Sequence, residues 1–222
     1  MIKRSLDIIL SLIAILILSP LLIPIIVLLK MTGEGYIFYK QKRVGRDNKL
    51  FELLKFATMY KDSPNMKGGS ITSTDDPRIL PFGKILRKYK INELPQVINV
   101  LIGDMSIIGR RPTVMEHYNF YKEDVKIILS NYKPGLSGIS SIVFRDEEKY
   151  FTGKTPEENK NIYRNKIAPF KGELEVWYCQ KQSVIVDFLL IIITILSVVK
   201  PSSNLHNYFF NDLPKHPLFN PE

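Results

Sequence analysis

A run of basic residues surrounds two isolated acids in the middle of the sequence. Between Pro77 and Pro112 the only acidic residues are Glu93 and Asp104. The seven basic residues of this stretch are Arg78, Lys84, Arg87, Lys88, Lys90, Arg110 and Arg111. Grouped cations bind phosphate groups, and a carboxylate among them can hold a metal ion or act as an acid. The pattern indicates a phosphate site, although a solvated basic face beside a membrane explains the charge equally well.

The whole chain is basic, which indicates that its partners are anionic. Its 222 residues carry a formal net charge of +9, which favours lipid headgroups, nucleotides or nucleic acid. The single cysteine, Cys179, excludes an intrachain disulfide and indicates a cytosolic domain. Neither GxxxxGK[ST] nor GxGxxG occurs, which argues against P-loop and dinucleotide folds. The basic stretch matches no known nucleic-acid-binding motif, so we expect no nucleic-acid partner.

The segments around the basic stretch must position its side chains. Two β-rich runs, 36–44 and 50–56, flank the turn residues 45–49 and predict a β-hairpin. Residues 62–76 predict a loop that could cover a site. Residues 81–101 predict a helix broken near proline 95, followed by a tight turn at glycine 103. Breaks of this kind aim side chains into a pocket.

Two later segments have weaker patterns. Residues 133–141 contain the turn-forming sequence PGLSG and predict a loop. Residues 157–178 carry mixed charges along the chain, which is typical of one or two surface helices.

An apolar segment, Ile8–Leu29, is long enough to cross the hydrocarbon core of a bilayer. Pro20 lacks a backbone donor, so we expect a kink there, with the Ser19 hydroxyl bonding a freed carbonyl. Basic residues flank both ends of the segment: Lys3, Arg4, Lys30, Lys40, Lys42 and Arg43. The positive-inside rule therefore gives no orientation, and a helix that enters and leaves on the same face resolves the conflict.

A second apolar run, residues 188–199, is too short to span a bilayer comfortably. Ser183, Asp187, Thr194 and Ser197 recur along one helical face. This spacing predicts a helix that packs on the domain or lies in the membrane interface; an ordinary buried core helix fits equally well.

Several motifs follow one another in a specific order. They are KFATM (55–59), TDDPR (74–78), GKILRKYKINELPQVINVLIGDMSIIGRRP (83–112) and PGLSG (134–138). Together they closely resemble the bacterial sugar transferases known as monotopic phosphoglycosyl transferases. The resemblance extends over nearly the whole chain, including the Lys3-Arg4 start, the Ser19-Pro20 pair and the pattern from Ser183 to Asp187.

The resemblance implies an activity and its partners. Enzymes of that family move a sugar-1-phosphate from a UDP-sugar to polyprenyl (undecaprenyl) phosphate, release UMP, and so begin the synthesis of a bacterial surface glycan. They use Mg²⁺. We therefore expect UDP-sugar, polyprenyl phosphate and the lipid bilayer as partners, on the cytoplasmic face of the inner membrane. A homodimer is compatible with this picture.

The resemblance also implies the architecture. We expect an α+β, mainly helical fold in which residues 1–30 form a re-entrant membrane helix broken at Ser19 and Pro20. Residues 31–200 would form a compact catalytic domain at the membrane surface, with a short β-hairpin and amphipathic interface helices. Residues 201–222 would form a C-terminal tail.

By resemblance, the catalytic acidic dyad of the family falls on Asn92 and Glu93, with Glu93 as the metal ligand. The phosphate-binding arginine falls on Arg111. Supporting substrate contacts fall on Lys55, Asp76, Arg78, Arg87 and Arg145. Cations and a metal ion suit a reaction in which two phosphate-bearing substrates meet, because they neutralise the charge that develops.

Each assignment has a structural alternative. Asn92 could bond the backbone beside the break, and Glu93 could form a structural ion pair. Arg111 could contact a lipid headgroup. Asp76 and Asp104 occur in settings where aspartate often stabilises a turn.

Asn92 departs from the family's commonest pattern, in which an aspartate there attacks phosphorus. A neutral amide is a very poor nucleophile. Three explanations compete: a natural variant in which polyprenyl phosphate attacks directly, a nucleophile removed by design, or an inactive relative that serves as a membrane scaffold. We favour the natural variant, because Ala57 and Arg110 also replace the usual residues of their motifs.

Overall fold

The computed structural model describes residues 2–32, 34–66, 71–72, 76–199 and 205–219, with only the backbone at 198 and 199. Residues 74 and 75 of TDDPR and much of the predicted loop 62–76 lie outside this part. The helices are α1 (Ile2–Thr32), α2 (Pro81–Lys88), α3 (Gln96–Ile102), α4 (Met115–Tyr118), α5 (Glu123–Ser130), α6 (Ile139–Val143), α7 (Pro156–Ile162), α8 (Ala168–Lys181), α9 (Val184–Val199) and α10 (Leu205–Phe209). Two small sheets accompany them, which confirms the predicted mainly helical α+β class.

The predicted hairpin is present. Strand β1 (Phe38–Val44) pairs antiparallel with β2 (Leu50–Phe56). A short 3₁₀ turn joins them, and its Asp47 and Asn48 have positive φ angles of 56° and 58°. Aspartate and asparagine tolerate this conformation better than other residues with side chains, which explains why the chain can reverse here.

The predicted helix over 81–101 is interrupted, as expected, before Pro95. Helix α2 already ends at Lys88, and Lys90 has a positive φ angle of 58°. A 3₁₀ turn, Ile91–Glu93, then leads to α3. Gly103 ends α3 with a φ angle of 100°, a value that glycine adopts without strain. The break therefore places Asn92 and Glu93 on a turn between two helices.

The prediction of a loop over 133–141 is partly wrong. Gly135–Ser137 forms strand β4, which pairs in parallel with β3 (Ser106–Ile108), and α6 follows. The two backbones cross so closely that a Cβ atom on Gly135 would lie 2.0 Å from the Gly109 nitrogen. The glycines in this region thus allow two backbone segments to approach closely; they do not mark an irregular loop.

The prediction of surface helices over 157–178 is partly wrong: it holds for α7, which is mostly exposed, but not for α8. Helix α8 follows α7 and a π turn (Tyr163–Ile167), and it lies at the centre of the main hydrophobic core. Its charged residues Lys171 and Glu175 are each 1% exposed. Lys171 pairs with Glu147 at 2.5 Å, and Glu175 accepts the backbone N–H of Arg111 at 2.8 Å. An ion pair thus compensates the burial of Lys171, and a hydrogen bond that of Glu175, whose pKa is raised by burial.

Helix α1 is long and apolar enough to cross a membrane, and both of its ends pack on the rest of the protein. Near its start, Asp7 is buried and bonds Ser106. Near its end, Ile25 and Leu29 join a small core with Phe56 and Leu86. The middle of the helix is largely exposed. Contacts at both ends with one domain constrain how the helix can lie in a bilayer.

The helix continues through its prolines. Ser19 Oγ donates to the Leu16 carbonyl at 2.9 Å. This is the carbonyl that the missing N–H of Pro20 leaves free, so the predicted bond of Ser19 is confirmed. The predicted kink at this pair stays a prediction.

Helix α9 packs on the domain, which was one of the arrangements predicted for it. Its polar face points inward: Asp187 bonds Tyr178, and Thr194 bonds Ser137 at 2.8 Å. Its outward face carries exposed apolar side chains, including Ile185 and Phe188. This apolar outer face suits the membrane interface better than water.

Residues 205–219 pack against the main core. Phe210 and Leu213 are buried in it, and Phe219 lies against Phe144 and Phe170. The predicted boundary of a tail at residue 201 stays a prediction.

Candidate active site

A cavity of about 710 Å³ lies between the hairpin, the 3₁₀ turn before α3 and helix α8. Its volume is typical of sites that take a nucleotide-sized ligand. Seven of the predicted site residues line it: Lys55, Arg78, Arg87, Asn92, Glu93, Arg111 and Arg145. The hairpin, the 3₁₀ turn and the segment after β3 thus bring together residues that are far apart in sequence.

Lys55 and Glu93 form an ion pair in this cavity. Lys55 Nζ lies 3.4 Å from Glu93 Oε1. Burial would raise the pKa of Glu93, but Lys55, Arg111 and Lys90 outweigh it and lower the pKa to about 2. Burial lowers the pKa of Lys55 to about 8, although Glu93 opposes this. Glu93 is therefore ionised at neutral pH, which suits binding a cation and excludes proton donation.

Asn92 is buried beside this pair. Its side chain lines the cavity, and its Oδ1 atom has no hydrogen-bond partner within the described part of the chain. Leaving a buried acceptor unbonded costs about 1–3 kcal/mol. The atom can accept a hydrogen bond from a ligand or serve as an oxygen ligand for a cation.

Arg111 and its neighbour Arg110 have different roles. Arg111 lines the cavity, where its Nη1 donates to Ser141 Oγ at 3.0 Å. Burial would lower its pKa, but Glu147 and Glu93 raise it above the ordinary value. Arg110 is fully buried and donates to four backbone carbonyls, those of Leu129, Tyr132, Val44 and Gly45. Arg110 therefore holds the fold together, whereas Arg111 faces the site.

Asp76 and Arg78 bond mainly to each other. Arg78 Nε and Nη2 donate to the two carboxylate oxygens of Asp76 at 2.9 and 2.6 Å. Both residues are almost fully buried. Arg78 forms part of the cavity wall, whereas Asp76 supports it from behind. Their predicted contacts with substrate stay predictions.

Arg87 and Arg145 lie at another part of the cavity wall. Arg87 Nη2 donates to Glu148 Oε1 at 3.1 Å, and both side chains are partly exposed. Arg145 lies within three residues of Glu148 in sequence and also lines the cavity. Their placement at an accessible part of the site is compatible with binding an anionic ligand.

Sequence reasoning missed Arg43 as a site residue. This arginine of β1 lines the cavity, and its Nε atom is buried without a hydrogen-bond partner among the described residues. Burial and the charge of Arg111 lower its pKa to about 10, so it is still a cation at neutral pH. In the sequence Arg43 stood out only as one of the charges after the apolar segment.

A second missed group lines the cavity beside Arg111. It consists of the Glu147–Lys171 ion pair with His117 and Tyr163 around it. Burial lowers the pKa of Lys171 to about 8, and burial together with Lys171 lowers the pKa of His117 to about 4. The sequence held one signal: Lys171 and Glu175 recur at helical spacing among apolar residues of α8, which places charges on a core-facing side.

The oxygen donors of the cavity fit a hard cation. Glu93 offers a carboxylate, and Asn92 offers the unbonded Oδ1 atom. No cluster of three or more His, Cys, Asp or Glu occurs in the residues that the structure describes. Mg²⁺ commonly takes one or two protein oxygens, the remaining positions being filled by water and substrate phosphates. The donor set is therefore suited to Mg²⁺ in the presence of a phosphate ligand.

Comparison with known proteins identifies similar sequences along this chain. Residues 1–201 match the family described as bacterial sugar transferase. An exopolysaccharide production protein of Sinorhizobium fredii is 30% identical over 210 residues, which cover 88% of this chain and 84% of that protein.

Two further relatives carry names that state a reaction. The UDP-glucose:undecaprenyl-phosphate glucose-1-phosphate transferase of Escherichia coli is 35% identical over 64% of this chain. An Aeromonas hydrophila protein named UDP-N-acetylgalactosamine-undecaprenyl-phosphate N-acetylgalactosaminephosphotransferase is 37% identical over the same share. The matched regions cover only 31% and 34% of these two proteins.

Proposed function

The chain belongs to the bacterial sugar transferase family, and we propose that it transfers a sugar-1-phosphate from a UDP-sugar to polyprenyl phosphate and releases UMP. The observation that carries this proposal is the convergence of Lys55, Glu93 and Arg111 on one cavity of nucleotide size. The names of the relatives from Escherichia coli and Aeromonas hydrophila support the same reaction.

In the proposed reaction, an oxygen of polyprenyl phosphate attacks the phosphorus that carries the sugar. The bond from this phosphorus to the bridging oxygen breaks, and UMP leaves with that oxygen. The other product is polyprenyl diphosphate-sugar. Lys55, Arg43 and Arg111 are cations positioned to neutralise the negative charge that gathers on the phosphates.

We further propose that the acceptor phosphate attacks directly, without a covalent enzyme intermediate. Asn92 stands where the family's commonest pattern has an aspartate, and its amide is too poor a nucleophile to replace it. Its buried Oδ1 atom and the Glu93 carboxylate would hold Mg²⁺. When bound, this ion would supply positive charge to the diphosphate.

A non-catalytic membrane scaffold is the alternative that Asn92 suggests. A scaffold would have no need to retain a partly buried ion pair and cationic side chains around an open cavity. Lys55, Glu93, Arg43 and Arg111 all remain there, which favours an enzyme. In cells, the enzyme hypothesis requires that Glu93→Gln abolish glycan production, whereas a scaffold would tolerate it.

The long apolar helix and the family together indicate attachment to a membrane. We propose that α1 is re-entrant and that the domain lies on the cytoplasmic face of the inner membrane. Asp7 near one end of α1 and Leu29 near the other contact the same domain, which supports this topology. Reporter tags at both ends should be cytoplasmic; a periplasmic tag at the start of α1 would contradict re-entry.

UMP release tests the proposed reaction. The protein in detergent or nanodiscs would be incubated with undecaprenyl phosphate, Mg²⁺ and a panel of UDP-sugars that includes UDP-glucose and UDP-N-acetylgalactosamine. We expect UMP release with at least one donor and loss of release when a chelator removes the metal. Arg43→Gln should lower the rate, while Lys42→Gln, at an exposed neighbour on β1, should not. No UMP from either the native chain or Asn92→Asp would overturn the proposal.

A further inference from the structure

The first two turns of α1 bind the domain through three charged residues, Lys3, Arg4 and Asp7, which we call the N-terminal clamp. The geometry points to a positioning role: the clamp fixes α3 relative to β3 and thereby sets how Glu93 faces Arg111. The catalytic consequence rests on the proposed function. The structural part of the inference, that the clamp orders these two elements, stands without it.

Asp7 and Lys3 complete the hydrogen bonding of strand β3. Ser106 and Gly109 donate their backbone N–H groups towards the β4 side, to Pro134 and Ser137. The N–H of Ile107 instead donates to Asp7 Oδ1 at 2.9 Å. Because a buried backbone N–H needs a partner, Asp7 takes the place of a third strand.

Lys3 acts at the other end of the same strand. Its Nζ donates to the Ile108 carbonyl at 2.9 Å and also pairs with Asp187 at 2.5 Å. Tyr178 OH lies 3.1 Å from the same carbonyl, while its single hydrogen is better placed for Asp187 Oδ1 at 2.6 Å. Lys3 therefore ties β3 to α9 as well as to α1.

Arg4 caps the C-terminal end of α3. Its Nη1 and Nη2 donate to the carbonyls of Val100 and Leu101 at 2.6 and 2.7 Å. The last carbonyls of a helix lack partners within the helix, and a cation is favourable at that end. The guanidinium also lies against Gly103, where an added Cβ atom would be 3.3 Å from Nη2.

The clamped elements carry the reacting groups. Glu93 lies on the turn just before α3, and Arg111 follows β3 by three residues. On its other side α3 is bound to β2, the strand that carries Lys55, because Asn99 bonds the backbone of Leu54 and Glu52 at 2.9 and 2.8 Å. A shift of α3 relative to β3 would therefore separate Glu93 from Arg111. Misplacement by about 1 Å can cost roughly 10²-fold in rate.

Lys3 and Arg4 could instead matter only as positive charges that face lipid headgroups. Arg4→Lys separates the two ideas, because lysine keeps the charge but cannot donate to two carbonyls in the fork geometry of arginine. Asp7→Asn provides an independent test, since it changes no basic residue. Lys30→Gln is the matched control: it removes an exposed cation at the far end of the same helix.

The experiment measures hydrogen exchange and turnover for these variants in nanodiscs. We expect faster exchange in Arg4→Lys at the amides of Gly103 and Met105, which bond the Asn99 carbonyl. We expect the same in Asp7→Asn at Ile107. Arg4→Lys and Asp7→Asn should each lower kcat about 10- to 100-fold and leave KM for the UDP-sugar nearly unchanged. Lys30→Gln should behave as the native chain.

The clamp is refuted if Arg4→Lys matches the native chain in both exchange and kcat. It is equally refuted if activity is lost only in proportion to protein missing from the membrane fraction, with exchange unchanged. If the native chain shows no transferase activity at all, the proposed function fails, and the exchange data alone still decide whether the clamp orders α3 and β3.

Discussion

Lys55 Nζ, on the second strand of the hairpin, lies 3.4 Å from Oε1 of Glu93, on the turn between α2 and α3. Each side chain is less than a third exposed. The pair joins two elements that the chain order keeps apart. Lys55 helps to keep Glu93 ionised, whereas burial, opposed by Glu93, lowers the pKa of Lys55 to about 8.

The first prediction concerns pH. Because burial lowers the pKa of Lys55 to about 8, turnover should fall as pH rises through that value and the ammonium charge is lost. A rate profile from pH 6 to 10 checks this. Lys55→Arg should remove the alkaline fall even though Lys171 also has a pKa of about 8; an unchanged fall would assign it to another group.

The alkaline loss should not reflect unfolding caused by Lys55. Its folded pKa of about 8 lies below the unfolded value of 10.5, so between these values the unfolded chain binds more protons. The contribution of Lys55 therefore makes the free energy of unfolding rise with pH in that window. Denaturant titrations at pH 8 and 10, with Lys55→Met as reference, measure this contribution.

The second prediction contrasts adjacent arginines. Arg111→Met should lower kcat by about 10²–10³-fold with little change in Tm, because it removes a charge that faces the phosphates. Arg110→Met should lower Tm by about 4–8 °C, because four backbone carbonyls lose the bond to this side chain at a cost of at least about 2 kcal/mol. Calorimetry and UMP release on both variants check this. Equal effects would contradict the division of roles.

The third prediction concerns the buried pair beside the cavity. Lys171→Met should destabilise the fold by about 3–5 kcal/mol, because it leaves Glu147 as an unpaired buried charge. Adding Glu147→Gln should restore much of this loss. A double-mutant cycle in denaturant measures the coupling; strictly additive effects would mean that the two charges do not stabilise each other.

The fourth prediction concerns Asn92. Asn92→Asp would place a carboxylate among cations that favour its ionised form. We expect this variant to release UMP from UDP-sugar without polyprenyl phosphate, up to one equivalent per enzyme, as its carboxylate oxygen displaces UMP and takes up the sugar-1-phosphate. The native chain should give no such burst. Intact mass spectrometry would detect the covalent product; a burst from the native chain would point to a different nucleophile.

The sequence predicted the local elements well where turn chemistry or periodicity was strong. The hairpin around Asp47, the break before Pro95 and the inward polar face of α9 were all predicted in some form. Each follows from residues close together in the chain. The cavity lining was anticipated through the ordered motifs, because seven of the proposed site residues face one space.

The sequence could not predict contacts that depend on distant partners. Lys171 and Glu175 looked like surface charges because their partners come from other segments: Glu147 pairs with Lys171, and the Arg111 backbone N–H bonds Glu175. The strand β4 was missed because glycine usually marks a loop, and only the crossing with Gly109 shows that it serves close approach. Asp7 gave no signal, since its partners lie about a hundred residues away.

The docking of both ends of α1 has a consequence for biogenesis. Residues 2–32 leave the ribosome before the domain that they contact, so this helix must find its place in lipid while its partners are still being synthesised. Leu29 cannot complete its small core until β2 and α2 have been synthesised, and Asp7 cannot bond Ser106 until later still. Helix α1 is consequently not interchangeable with other membrane anchors. A foreign apolar helix in its place could attach the domain to a membrane but would lack the contacts of Leu29 with the small core and of Asp7 with Ser106.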